Sequence, residues 1–300
     1  MSIYHTPVLL KESIEGLNIK PDGVYVDATF GGGGHSQEIL KKLSIKGKIL
    51  VFDQDPDAKI NQLHDNRVIY AQANFRFLKN FLRYHDIEEI DGLLADLGVS
   101  SHHFDSEKRG FSYRFDSTLD MRMNPNQRVT AEVLLNTYSE AQLKNLFEKY
   151  GEINNAKTIA SVIVAERQKT KIDSVVTLKS TLSAYIPKQT ENKYLSKLFQ
   201  ALRIEVNAEI DSLKTLLLSA SDVLSEEGRI AVITYHSIED RLVKNFFKNG
   251  KFEGEAEKDI YGKTSLLLIP VNRKVIIPTD EEIERNPRAR SAKLRIAQKA

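Results

Sequence analysis

Cysteine does not occur in this chain of 300 residues. That absence excludes disulfides, thiolate metal sites, cysteine-held iron–sulfur clusters and a cysteine nucleophile. No apolar run approaches the roughly 18 residues that a membrane-crossing helix needs, so no membrane partner is expected. The opening residues, Met1-Ser2-Ile3-Tyr4-His5, offer neither a basic nor an apolar region for export, which points to the cytoplasm. Internal repeats and low-complexity tracts are missing as well. Charge of one sign does not dominate, the net value being +2. Its distribution is uneven: Arg285, Arg288, Arg290, Lys293, Arg295 and Lys299 crowd the C-terminal end. Such a cluster is either a solvated tail or the footprint of a polyanion.

The length suits one large domain, or one domain carrying a second. The rest of the chain is organised around Val24 to His35. The turn signal Pro21-Asp22-Gly23 precedes an apolar β-branched run, Val24 to Val26. Four glycines follow, Gly31 to Gly34, and then Ser36, Ile39, Leu40 and Leu43 at helical spacing. This reads as strand, glycine turn, helix, a place where backbone comes close to a ligand beneath helix N–H groups. The dinucleotide spacing G-x-G-x-x-G fails, because Ser36 or Gln37 stands where the last glycine belongs.

Further strands are predicted at Lys48 to Phe52, Arg67 to Ala71, Ile90 to Asp96 and Arg229 to Thr234, with closing strands at Ser265 to Val271 and near Leu294 to Ala297. Asp27, Asp53 and Asp96 all sit at or near strand carboxyl ends, the edge where open α/β sheets bind ligands. Asp53 lies about twenty residues beyond the glycines, where an acid meets the ribose of an adenosine cofactor; the alternative is a simple helix cap. Phe75, just past the third strand, either stacks on a purine or joins the core. From about Phe104 to Lys197 there are helices and loops without a convincing strand. The helices are Ser139 to Tyr150 with a Ser139/Gln142 capping box, Ala156 to Gln168 and Val175 to Tyr185. A long helix, Leu198 to Leu224, returns the chain to the sheet. The expected architecture is a doubly wound, Rossmann-like α/β sheet: residues 1–103 and 198–300 form one domain, and residues 104–197 an inserted helical domain.

A dehydrogenase is one reading of such a sheet. The glycine spacing opposes it, and so does Asp27, whose carboxylate would repel a diphosphate beside the glycine loop. A cofactor with a cationic amino acid end and no phosphate suits that carboxylate better, which favours S-adenosylmethionine and a methyltransferase.

The chain resembles the bacterial 16S rRNA (cytosine-N4)-methyltransferase family, RsmH or MraW. The resemblance is carried by His5-Thr6-Pro7-Val8-Leu9-Leu10, Asp27-Ala28-Thr29-Phe30-Gly31, Gly33-Gly34-His35-Ser36, Asp53-Gln54-Asp55-Pro56 and Asp96-Leu97-Gly98-Val99-Ser100-Ser101. It continues through Arg109-Gly110-Phe111-Ser112, Leu119-Asp120-Met121-Arg122-Met123, Phe199-Gln200-Ala201-Leu202-Arg203-Ile204, His236-Ser237-Ile238-Glu239-Asp240-Arg241 and Asn286-Pro287-Arg288-Ala289-Arg290-Ser291. It implies a methyltransferase domain interrupted by a helical one. It also implies a reaction at the exocyclic amine of a P-site cytidine on the 30S subunit. Cofactor positions carry over to Gly33, Gly34, His35, Asp53, Phe75 and Asp96. A further one falls at His103, where the family's Ser-Ser-Pro-Gln reads Ser100-Ser101-His102-His103.

The chemistry agrees. Without cysteine the covalent route to carbon-5 of a pyrimidine is closed, and direct transfer to nitrogen or oxygen remains. The cytosine amine is a poor nucleophile, helped by an acceptor at its hydrogens and a base for its proton. Asp96 and His236 are the candidates; a histidine at a strand end serves equally well as a cap. Arg122, Arg203, Arg288 and Arg290, outside the cofactor motifs, are the candidates for rRNA phosphates. A homodimer is one possible assembly. The rival readings are a methyltransferase for protein or small molecules, and an rRNA-binding factor without activity.

Overall fold

The computed structural model describes residues 7–99, 109–256, 266–272 and 274–300. The chain divides into two compact units, Met1–Gly98 with Asp211–Ala300, and Val99–Ile210.

The first unit opens with helix α1 (Leu10–Leu17), strand β1 (Val24–Asp27), helix α2 (Gly34–Lys42), β2 (Lys48–Phe52), β3 (Val68–Ala71), α3 (Leu78–Tyr84) and β4 (Ile90–Asp96). Strands β1 to β4 are short and bounded by turns, as the β-branched runs predict. Their side chains are buried along nearly the whole of β2 and β4, the pattern of a parallel sheet covered on both faces. On one face Leu17 of α1 and Ile39 of α2 pack with Tyr25, Ile49, Val51 and Leu94.

The second unit contains α4 (Ala131–Thr137), α5 (Glu140–Gly151), α6 (Ala156–Arg167), α7 (Val175–Leu182) and α8 (Glu191–Asn207). Thr130, Ser139 and Ser174 cap the first, second and fourth of these, and the Ser139/Gln142 capping box is present. Helix α5 packs on α6 and α8 through buried residues that include Leu143, Phe147, Ile159, Leu198 and Leu202. Among the described residues of this unit the only strand-like pairing is a single bridge, Thr118 to Ser174.

Helix α9 (Glu209–Val223) leads back to β5 (Leu224–Thr234), α10 (Ser237–Asn249), β6 (Leu268–Pro270), α11 (Asp280–Arg285) and β7 (Lys293–Lys299). The strand order is β3-β2-β1-β4-β5-β7-β6. Neighbours pair in parallel from β3 to β5, and β7 is antiparallel to both β5 and β6. The fold is therefore doubly wound and Rossmann-like. The order reverses between β1 and β4, and there the crevice outside the carboxyl ends is the ligand position of such sheets.

Two elements differ from the sequence reading. The helix expected over Leu198 to Leu224 is broken at Ala208, which has φ +48° in the left-handed region. The apolar spacing continues across the break, so periodicity does not reveal it; local bonds do. The Arg203 guanidinium grips the Glu209 carboxylate. The buried Asn207 amide accepts from the Met123 N–H and donates to the Met121 carbonyl, each at 2.8 Å. Strand β5 also begins earlier than Arg229, because a register shift lets Leu224 pair with Ile90 before Arg229 meets Gly92.

Candidate functional site

The glycine turn is built as a joint. Gly33 is the N-cap of α2 with φ +76°, and a Cβ there would meet the Phe30 ring at 2.9 Å. A Cβ on Gly34 would meet Pro7 at 2.2 Å. These two glycines are demanded by the fold itself. A Cβ on Gly32 would meet nothing within 4 Å, so the open side of the turn lies there, at the N-terminus of a helix.

Beneath the turn lies Asp27, 1% exposed. It accepts from the Ser36 hydroxyl at 2.5 Å and from the Thr29 N–H at 3.0 Å. The sequence reading set this carboxylate beside the ligand; the structure makes it the buried tie between β1 and α2. Burial pushes its pKa up against those hydrogen bonds. The Thr29 hydroxyl accepts from the Asp96 N–H at 2.6 Å, which ties β4 to the same joint.

At the next strand end, Asp53 accepts from the Gly31 N–H and the Asp55 N–H, each at 2.8 Å. Asp55 caps the 3₁₀ helix Pro56–Asn61, and Asn61 donates to the Gly31 carbonyl at 3.0 Å. Asn74 caps the 3₁₀ helix Phe75–Phe77, which leaves the Phe75 ring half-buried past β3. Between these groups is a residue that sequence reasoning missed. The Tyr70 hydroxyl on β3 is buried with no hydrogen-bond partner among the described residues. Burial and the charges of Asp53 and Asp55 push its pKa up to about 12. A buried donor without a partner beside two carboxylates is costly unless a polar ligand supplies the missing bond. This pocket edge thus fits the ribose end of an adenosine cofactor.

Asp96 ends β4 with its side chain 22% exposed. Its Oδ1 accepts from the Tyr235 hydroxyl at 2.7 Å. Its Oδ2 lies 4.0 Å from His35 Nδ1. His35 Nε2 is 3.1 Å from the Val8 carbonyl oxygen; a carbonyl only accepts, so the proton is on Nε2 and Nδ1 is left as an acceptor. Burial holds His35 below the usual imidazole range. Burial raises Asp96 to about 6, with Asp27 and Glu239 adding to the rise and His35 and Tyr235 opposing it.

His236 does not join this group. It is the N-cap of α10, its Nδ1 accepting from the Glu239 N–H at 3.4 Å, with Nε2 3.1 Å from Glu239 Oε1 but poorly aligned for a hydrogen bond. The arginines also separate. Arg122 is bidentate to Asp120 at 2.7 Å and donates to the Pro125 and Gln127 carbonyls. Arg203 is bidentate to Glu209. Both forks are engaged in holding the second unit. Arg288 and Arg290 are exposed on the 3₁₀ helix Pro287–Ser291. Arg290 lines a cleft of about 260 Å³ with Tyr235, His236, Ser237, Ile277 and Lys293. His103 lies outside the described residues.

A carboxyl edge of this kind, at a switch point and without pyrophosphate spacing, is that of the doubly wound, Rossmann-like methyltransferases. The chain belongs to the MraW methylase family, whose model matches residues 2–300. Its relatives include proteins named ribosomal RNA small subunit methyltransferase H. That of Bacteroides thetaiotaomicron is 54% identical over 296 residues, covering 99% of this chain and 97% of the relative. That of Parabacteroides distasonis is 54% identical over 299 residues, covering 99% and 98%. Among solved structures, an rRNA methylase from Streptococcus thermophilus matches with a TM-score of 0.43 at 11% identity, covering 100% of this chain and 99% of that one. No helix among the described residues is long and apolar enough to cross a membrane.

Proposed function

We propose that this protein methylates the exocyclic N4 amine of a P-site cytidine in 16S rRNA, on the small ribosomal subunit, with S-adenosylmethionine as donor. Family membership and the names of the relatives support the reaction class and the rRNA substrate. The observation that carries the chemistry is Asp96: a largely buried carboxylate at the switch point, with one oxygen held by a phenol.

In this reading Asp53 and Tyr70 bind the ribose hydroxyls, Phe75 stacks on the adenine, and the open turn at Gly32 with the buried His35 receives the amino acid end. S-adenosylmethionine held there would supply an electrophilic methyl group on its sulfonium, with the sulfur keeping the electron pair of the C–S bond. The chain's own part is to hold the amine. Asp96 accepts from an amine hydrogen, which favours a pyramidal nitrogen, and takes the proton that the reaction releases. A base near pKa 6 matches that task at neutral pH: it is ionised, yet basic enough to receive a proton. His236 and the forks of Arg122 and Arg203 have structural roles; Arg288 and Arg290 face rRNA phosphates. The unit Val99–Ile210 is the substrate-recognition module.

The test is methyl incorporation into purified small subunits, with the modified base mapped, for the wild type and Asp96→Asn. Single-turnover rates at saturating cofactor and subunit should fall by about 10²–10⁴-fold in the variant. A near-normal saturated rate would leave Asp96 a cofactor contact only, and a product mapped elsewhere than a cytidine amine would overturn the assignment.

A further inference from the structure

Tyr235 directly follows β5 and is held at both ends. Its N–H donates to Glu239 Oε2 at 3.1 Å, and its hydroxyl donates to Asp96 Oδ1 at 2.7 Å. Tyr235 also lines the cleft that carries Arg290 and Lys293. It therefore borders the cationic cleft and holds the carboxylate at the switch point.

We infer that Tyr235 is a positioning residue for the methylation step: its hydroxyl occupies one oxygen of Asp96 and fixes the carboxylate so that the other oxygen meets the target amine. The inference rests on the reading of Asp96 as the amine's acceptor. A carboxylate with two equivalent free oxygens rotates and offers either one, whereas a donor locked on Oδ1 leaves Oδ2 as the working atom. A 1 Å error in such placement costs heavily in rate.

The same bond governs the charge of Asp96. The groups facing the carboxylate are Asp27 from β1, His35 from α2, Glu239 from α10 and Tyr235; Glu282 from α11 faces Tyr235 in turn. Asp27 and Glu239 add to the rise that burial causes, whereas His35 and the Tyr235 hydroxyl oppose it, and of these two only the phenol is hydrogen-bonded to the carboxylate. Tyr235 is itself pushed well above the usual phenol range by burial and by Asp96, so it remains a donor at every working pH. The amine's proton goes to the carboxylate, and the phenol keeps its own.

Tyr235→Phe keeps the ring and deletes the hydroxyl. A hydrogen bond that favours the charged form holds a pKa down, so its loss raises the Asp96 pKa. The rate depends on the ionised carboxylate, so the acid limb of the variant should lie about 1–2 pH units above that of the wild type. Single-turnover methylation at saturating cofactor and small subunit, followed across pH, should show a variant about 2- to 10-fold slower near neutrality from the titration, with the gap narrowing on the alkaline side to the part that lost orientation leaves. Affinity for S-adenosylhomocysteine should stay near that of the wild type. A second readout needs no turnover: the ¹³C carboxyl resonance of Asp96, assigned through Asp96→Asn, should titrate at higher pH in Tyr235→Phe. Superimposable pH profiles, or a loss equal at every pH with an unmoved Asp96 titration, would overturn the inference while the proposed function stands. A fully active Asp96→Asn would instead remove the reading on which both rest.

Discussion

At the scale of single residues the cofactor edge works by shared acceptors. Asp53 already holds the Gly31 and Asp55 N–H groups, and an ionised carboxylate has lone pairs left for ribose hydroxyls. Asp53→Ala should weaken S-adenosylmethionine binding by about 1.5–3 kcal/mol, the worth of hydrogen bonds to a charged group. It should also loosen the glycine turn that the carboxylate organises. Calorimetric titration of the folded variant checks this; unchanged affinity would remove Asp53 from the ribose site.

Among elements, the joint between β1, β4 and α2 is the part most exposed to damage. Ser36 donates to Asp27 at 2.5 Å inside the core, and the Asp27 pKa is already raised by burial. Ser36→Ala leaves a buried carboxylate one donor short, which should cost about 1–3 kcal/mol. Denaturant midpoints measure the loss at pH 7 and again near pH 5. A folded-state pKa raised above its unfolded value makes the ionised form a liability, so folding takes up protons and stability falls as pH rises through the window between the two values. Removing the serine hydroxyl widens that window upward, and the variant's deficit should therefore be smaller at the lower pH. A deficit independent of pH would mean that the hydroxyl matters for packing alone.

For the whole molecule the charge distribution matters more than the net value of +2. Arg288 and Arg290 are exposed near the C-terminal end; Lys293 and Arg295 pair with Asp240. A double variant, Arg288→Ala with Arg290→Ala, should bind small subunits more weakly and reduce the slope of log affinity against log salt by about 1–2. Arg122→Ala should instead lower stability, because it opens the turn closed by Asp120, Pro125 and Gln127. Equal salt slopes for the double variant and the wild type would make the C-terminal arginines structural.

What the sequence by itself determined was the sheet and its edge. Short β-branched runs bounded by turn residues become strands because that pattern is local, and acids placed at their ends must emerge at the carboxyl edge of a parallel sheet. The glycine run likewise has to be a turn, since Gly33 at φ +76° tolerates little else. Tertiary structure alone decided which side chains meet. Asp96 and Tyr235 are 139 positions apart and join only because β4 and β5 are neighbours. That His236 caps a helix, and that Arg122 and Arg203 pair with carboxylates, depends on partners supplied by the fold: a backbone N–H at Glu239, carboxylates at Asp120 and Glu209. The break at Ala208 was hidden for the same reason, because apolar spacing reports which face is buried and says nothing of the polar bonds that stop a helix.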